Sequence, residues 1–205
     1  MRADALARRN AIVDAARVVF TERGHDAPLD AVAELANVGI ATLYRNFPTR
    51  EDLVTAVAFA TLVDVRKTAE TALASMPTDP ETAWQGLVDR LVELRLGALI
   101  PSLVEHSYTE LAPEVLAARE LTKTQMTATI EAAQAAGLVR LDLHPLEFVM
   151  ALAKLTRPQI ELSDDAMPNL VPRLVAVFVA GLRPDGTDLP SLIPKSDNPA
   201  GTIGR

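Results

Sequence analysis

Between Gly39 and Arg50 the chain gathers side chains suited to holding nucleic acid rather than to making or breaking bonds. Thr42 and Tyr44 carry hydroxyls that reach phosphate oxygens, and Arg45 and Asn46 carry paired groups that can bond base edges two at a time. Gly39 and Ala41 are small, so a partner can approach the backbone closely, and Ile40 and Ala41 offer apolar contacts. Arg50 falls in the first turn of a following helix, where a cation opposes the helix dipole. That placement makes sense if a phosphate lies nearby.

Elsewhere, reactive chemistry is sparse. The chain has no cysteine, so it has no thiol chemistry and no disulfide. It shows no phosphate-cradling glycine loop, no serine elbow and no zinc spacing, which argues against an enzyme. His106 and Glu110 stand four apart and can share a helical face, but no third ligand accompanies them, so no metal is expected. His25 is a lone loop histidine with a surface role.

The elements that must position the polar cluster are legible around it. Leu29, Val32, Ala33 and Ala36 recur at helical spacing. Asn37-Val38-Gly39 interrupts them as a turn. A second short helix runs from Ile40 to Asn46, with Leu43 and Phe47 as inward anchors, and Pro48 stops it. Thr49 caps the next helix, with Asp52 three residues on as its capping-box partner. Helix, short turn, helix is the geometry that lays a second helix in the DNA major groove.

The run VGIATLYRNFPTREDL resembles the DNA-binding signature of the TetR family of bacterial transcriptional regulators, roughly A-G-V-S-x-G-T-L-Y-x-H-F-x-x-K-E-x-L. The chain matches at Ala36, Val38, Thr42, Leu43, Tyr44, Phe47 and Leu53, and Arg50 stands where the family usually has lysine. It departs at Asn37, Gly39, Ala41 and Asn46, and Pro28 replaces a threonine that often contacts phosphate. The resemblance covers about the first quarter of the chain. It implies an all-α fold, with an N-terminal three-helix DNA-binding domain and a larger helical domain that binds ligand and dimerises through its last two helices. Arg2, Arg8 and Arg9 lie where family members often touch the DNA backbone, the alternative being a solvated helix start.

Composition fits a cytoplasmic protein. The sequence lacks a run of the ~18 apolar residues that would span a bilayer, and its first ten residues carry no apolar signal core. The net charge of −7 is unevenly placed: residues 1–50 carry seven arginines and six acids, so the acidity lies in the remainder. The weakly basic front implies modest non-specific DNA affinity, strongly dependent on salt.

The expected division is a DNA-binding domain at 1–48, a ligand-binding and dimerisation domain at 49–183, and a disordered tail at 184–205. The first helix spans about 4–23 and ends at Gly24. A long helix from Arg50 to about Ser75 belongs to both domains and can act as a lever. Asp79 caps a helix expected from Glu81 to Ile100, with Pro80 at its first position. A short helical piece carries His106 and Tyr108. Pro113 opens a helix closed by Gly137, residues 139–143 form an extended link, and helices follow at 145–157 and 168–182 around a loop at 163–167. The last two helices are apolar on nearly all sides, so they must be buried on more than one. Paired across two chains they make a four-helix bundle, placing two heads about one DNA turn, ~34–36 Å, apart.

The middle helices enclose an expected pocket for an apolar or amphipathic small molecule, with Phe59, Trp84, Leu91, Arg95, His106, Tyr108, Met126, Ile130 and Phe148 as candidate lining. No cofactor is expected. The leading reading is a homodimeric regulator, a repressor released from its double-stranded DNA operator by that ligand. The alternative is a ligand-free protein-interaction module that keeps the helix-turn-helix only as fold.

Overall fold

The structure, a computed structural model, describes residues 2–24, 26–97, 112–157, 169–184, 187 and 189–190. These form eight α-helices and no strand: α1 (Arg2–Arg23), α2 (Leu29–Leu35), α3 (Ile40–Asn46), α4 (Arg50–Ser75), α5 (Pro80–Glu93), α6 (Pro113–Ala135), α7 (Pro145–Leu155) and α8 (Leu170–Gly181). None of the described helices is long and apolar enough to cross a membrane.

Two apolar cores share α4. The head core joins Ile12, Ala16 and Phe20 of α1 to Val32, Leu43, Phe47, Leu53 and Val57. The body core begins on α4 at Val65 and takes in Trp84, Leu87 and Leu91 of α5, Met126 and Ile130 of α6, Phe148 and Leu152 of α7, and Val175 of α8. Helix α4, of 26 residues, is about 39 Å long at 1.5 Å per residue.

Local signals explain where the helices start. Thr49 and Asp52 form the expected capping box, the Asp52 amide donating to Thr49 Oγ1 at 3.1 Å and the Thr49 amide to Asp52 Oδ2 at 3.0 Å. Asp79 caps α5 by accepting from the Thr82 amide at 3.2 Å. Gly24 and Gly137 take positive φ, +84° and +72°, at the ends of α1 and α6, the left-handed stop that glycine adopts at low steric cost.

Helices α4 and α6 are joined by hydroxyls as well as by apolar packing. Thr122 Oγ1 donates to the Leu62 carbonyl and Thr129 Oγ1 to the Ala69 carbonyl, each at 3.0 Å. The step is seven residues along both helices in the same direction, so the two run parallel.

Several boundaries differ from the sequence reading; the helix expected over 145–157, for one, ends at Leu155, with Thr156 as its cap. The helix expected to reach Ile100 ends at Glu93. Arg95 takes φ +47° and its amide bonds to the Val92 carbonyl at 3.0 Å, a left-handed stop without glycine or proline to announce it. The break lets Gly97 approach α7 closely: a Cβ there would overlap the Ala153 carbonyl oxygen and lie 2.8 Å from Arg157 Cα.

The segment expected to be disordered from residue 184 is fastened over its first residues. Arg140, 8 % exposed, pairs with Asp142 and donates to the Thr187 carbonyl. Its amide donates to the Leu182 carbonyl at 2.8 Å. A buried guanidinium needs acceptors, and the chain after α8 supplies them. The final helix is also shorter than expected, Leu170–Gly181 instead of 168–182. His25, the piece carrying His106, Tyr108 and Glu110, the loop at 163–167 and residues 191–205 lie outside the described residues.

Candidate nucleic-acid interface

The turn between α2 and α3 is built by backbone geometry. Asn37 takes φ +52° and the Val38 amide donates back to the Ala33 carbonyl at 2.9 Å. Asparagine tolerates left-handed angles better than most residues, which is how it stands in for glycine here. Gly39 caps α3 through its carbonyl, accepting from Thr42 and Leu43 amides at 2.8 and 3.2 Å. No atom lies within 4 Å of where its Cβ would be, so the front of α3 is open.

Helix α3 is anchored by one buried side chain, Leu43, with Phe47 closing the helix end. This fixes which face is free. Ile40, Ala41, Tyr44 and Arg45 are exposed, Tyr44 by 48 %. Thr42 and Asn46 are half-buried at the flanks. Arg45 Nε donates to the Ala41 carbonyl at 3.1 Å, and Asn46 Nδ2 to the Thr42 carbonyl at 2.8 Å. Both side chains therefore lie along the helix.

Arg50 has a further task. Its Nη2 donates to the Ala27 carbonyl at 2.9 Å, tying the α1–α2 connection to the front of α4. The cation at this helix N-terminus therefore has a partner inside the protein. Two other head contacts join residues far apart in the chain and left no pattern in the sequence. The Arg9 guanidinium lies 4.4 Å from the Phe47 ring centroid, and Arg17 of α1 donates to Asp64 of α4 at 2.7 Å.

The candidate ligand residues divide into groups. Trp84, Leu91, Met126, Ile130 and Phe148 are all buried in the body core. Trp84 and Phe148 ring centroids are 5.1 Å apart, and Phe178, which sequence reasoning did not single out for this cluster, stacks on Phe148 at 6.2 Å. Phe59 and Arg95 do not join them. Phe59 is 40 % exposed on a groove of about 910 Å³ between head and body. Arg95 is exposed on a second groove beside α1. His106 and Tyr108 lie outside the described residues. No group of three histidine, cysteine, aspartate or glutamate residues that could hold a metal ion occurs among the described residues.

Two family models match the chain. One, described as bacterial regulatory proteins of the tetR family, matches residues 12–57, and the other, described as the C-terminal domain of SbtR-like transcriptional regulators, matches residues 79–184. Comparison with curated proteins finds no match. Among solved structures, the TetR transcriptional regulator SCO0520 of Streptomyces coelicolor is 30 % identical with a TM-score of 0.61, covering 86 % of this chain and 99 % of its own. A TetR regulatory protein of Mycobacterium vanbaalenii is 26 % identical with a TM-score of 0.57, covering 89 % of this chain and 99 % of its own. LfrR of Mycobacterium smegmatis, solved with proflavine, shares the fold at 24 % identity and a TM-score of 0.61, covering 85 % of this chain and 93 % of its own. With both domains matched and the helix-turn-helix in place, the chain belongs to the TetR family of bacterial transcriptional regulators.

Proposed function

We propose that the chain is a homodimeric, sequence-specific repressor that presents α3 of each subunit to successive major grooves of an operator. The observation that carries this reading is the one-sided burial of α3: Leu43 is buried while Ile40, Ala41, Tyr44 and Arg45 face outward together. Arg45 and Asn46 read base edges, with Ile40 and Ala41 in apolar contact. Thr42, Tyr44 and the open backbone at Gly39 hold phosphates. Arg50 contributes chiefly by fixing the α1–α2 connection, with phosphate contact as its second role.

The head corresponds to residues 1–48 and the body to 49–183, with α4 shared. The dimer forms through α7 and α8. Their outer faces expose Leu146, Met150, Leu174 and Val177, the last by 72 %, an apolar surface of the kind that marks a protein interface. A small apolar or amphipathic molecule binds the body and favours another spacing of the two heads, so that ligand and operator weaken each other by linkage. LfrR, solved with the aromatic molecule proflavine, supports a ligand of this class.

Fluorescence anisotropy tests the reading directly, using fragments of the DNA upstream of the protein's own gene at several salt concentrations with scrambled competitor. Tight binding that survives competition is the expected result. Equal, low-salt-only binding to every sequence tried, including a random operator-selection pool, overturns sequence-specific recognition.

A further inference from the structure

Helix α4 passes from one core to the other. The buried residues of the head core end on α4 at Val57, with Ala60 packed against them, and those of the body core begin at Val65. Between them the buried Thr61 donates its hydroxyl to the Val57 carbonyl at 2.8 Å. A threonine bonded back onto its own helix favours bending at that point. Residues 58–64 are thus the natural joint between head and body.

Arg17 of α1 faces this joint. Its Nη1 donates to Asp64 Oδ2 at 2.7 Å, while Nε and Nη2 are buried with no hydrogen-bond partner. Buried donors are seldom left unmade, because their desolvation is then uncompensated. Nε and Nη2 share one edge of the guanidinium, the edge that takes a carboxylate through two parallel bonds. The groove between head and body that contains Arg17 and Asp64 also holds Asp14 and Glu114. Asp14 sits on α1 and moves with Arg17. Glu114, in the first turn of α6, is exposed and makes no ion pair among the described residues.

The geometry points to Arg17 as a positioning residue with two alternative partners. In the present arrangement Nη1 holds Asp64; when α4 bends at 58–64, the Nε–Nη2 edge takes the Glu114 carboxylate and fixes the head in a second orientation. This inference rests on the reading of the chain as a regulator whose heads change spacing. It gives that change a discrete second state, since ion-pair exchange has two endpoints and no continuum.

The native chain has no cysteine, so spin labels can be placed without background. Glu34→Cys on α2 and Glu131→Cys on α6, both exposed, report the head-to-body distance within one full-length chain by pulsed electron paramagnetic resonance. Dilution with unlabelled protein removes pairs between subunits. Two distances are expected in the otherwise native chain. Asp64→Asn should raise the second population roughly threefold or more, and Glu114→Gln should abolish it. Arg17→Lys should also abolish it, since lysine can hold Asp64 as a point charge but cannot fork. Glu114 is exposed, so Glu114→Gln should melt like the native protein, separating this effect from lost stability. A single distance unmoved by Asp64→Asn, or two distances unmoved by Glu114→Gln, overturns the proposal. Failure to bind any operator would instead count against the regulator reading, since the distance measurement uses no DNA.

Discussion

Replacing Phe148 with alanine tests whether the aromatic cluster of the body is core or ligand wall. Phe148 is fully buried, with Trp84 at 5.1 Å and Phe178 at 6.2 Å between ring centroids. A buried aromatic side chain removes about 150–250 Å² from water, worth about 4–6 kcal/mol at 25 cal/mol per Å². Truncation keeps Cβ and allows some collapse of Trp84 and Phe178 into the space, so about 3–5 kcal/mol is the expected cost. For a chain of this size each kcal/mol moves the melting temperature by about 2–4 °C, giving a fall of about 6–20 °C. Thermal unfolding followed by circular dichroism at fixed protein concentration measures it, the concentration being held because dimerisation shifts apparent stability. A side chain facing an open ligand space has packing on one side only, and its removal costs far less. A fall below about 2 °C would refute the assignment of Phe148 to the core and return it to the ligand site.

Three further outcomes follow from the geometry. Arg45→Ala should lose about 1–3 kcal/mol of discrimination at one base position and leave melting unchanged, because Arg45 is exposed; binding to an operator-variant library reads both effects. Gly97→Ala should destabilise by about 1–3 kcal/mol or more, since the new methyl meets the backbone of Ala153 and Arg157 instead of a side chain able to move; chemical denaturation checks it. The Asp142 carboxyl is held below its usual value of 3.8, first by the hydrogen bond from Arg140 and also by the Leu189 amide. A depressed acid contributes stability that is present above its unfolded value and is lost as pH falls through the folded one. Protection of the Leu189 amide in hydrogen exchange should therefore persist at neutral pH and disappear below 3.8, and Asp142→Asn should remove it at pH 7.

The sequence by itself determined the helix-turn-helix, because every signal there is local. Apolar residues three and four apart set the buried faces of α1 to α3, Asn37 and Gly39 set the turn, Pro48 set the stop, and Thr49 with Asp52 set the next start. Local signals also placed the opening of α5 at Asp79-Pro80 and the end of α6 at Gly137. Tertiary structure decided what depends on groups distant in the chain. Arg50 looked like a cation awaiting phosphate until folding brought the Ala27 carbonyl 2.9 Å from it. Arg140 read as one residue of an extended link, yet burial made it the fastener of the chain after α8. The break at Arg95 carries no glycine or proline; its counterpart is the close seat of Gly97 against α7, which exists only once the helices pack. The same holds for the aromatic residues of the body: Trp84 and Phe148 are candidates for pocket lining by residue type and place in the chain, but whether an inward ring meets another ring or a ligand depends on what the opposite helix brings to it. Residue type and spacing fix backbone angles and faces over one or two turns, whereas the partner of a long polar side chain or a ring is chosen by which helices come within reach.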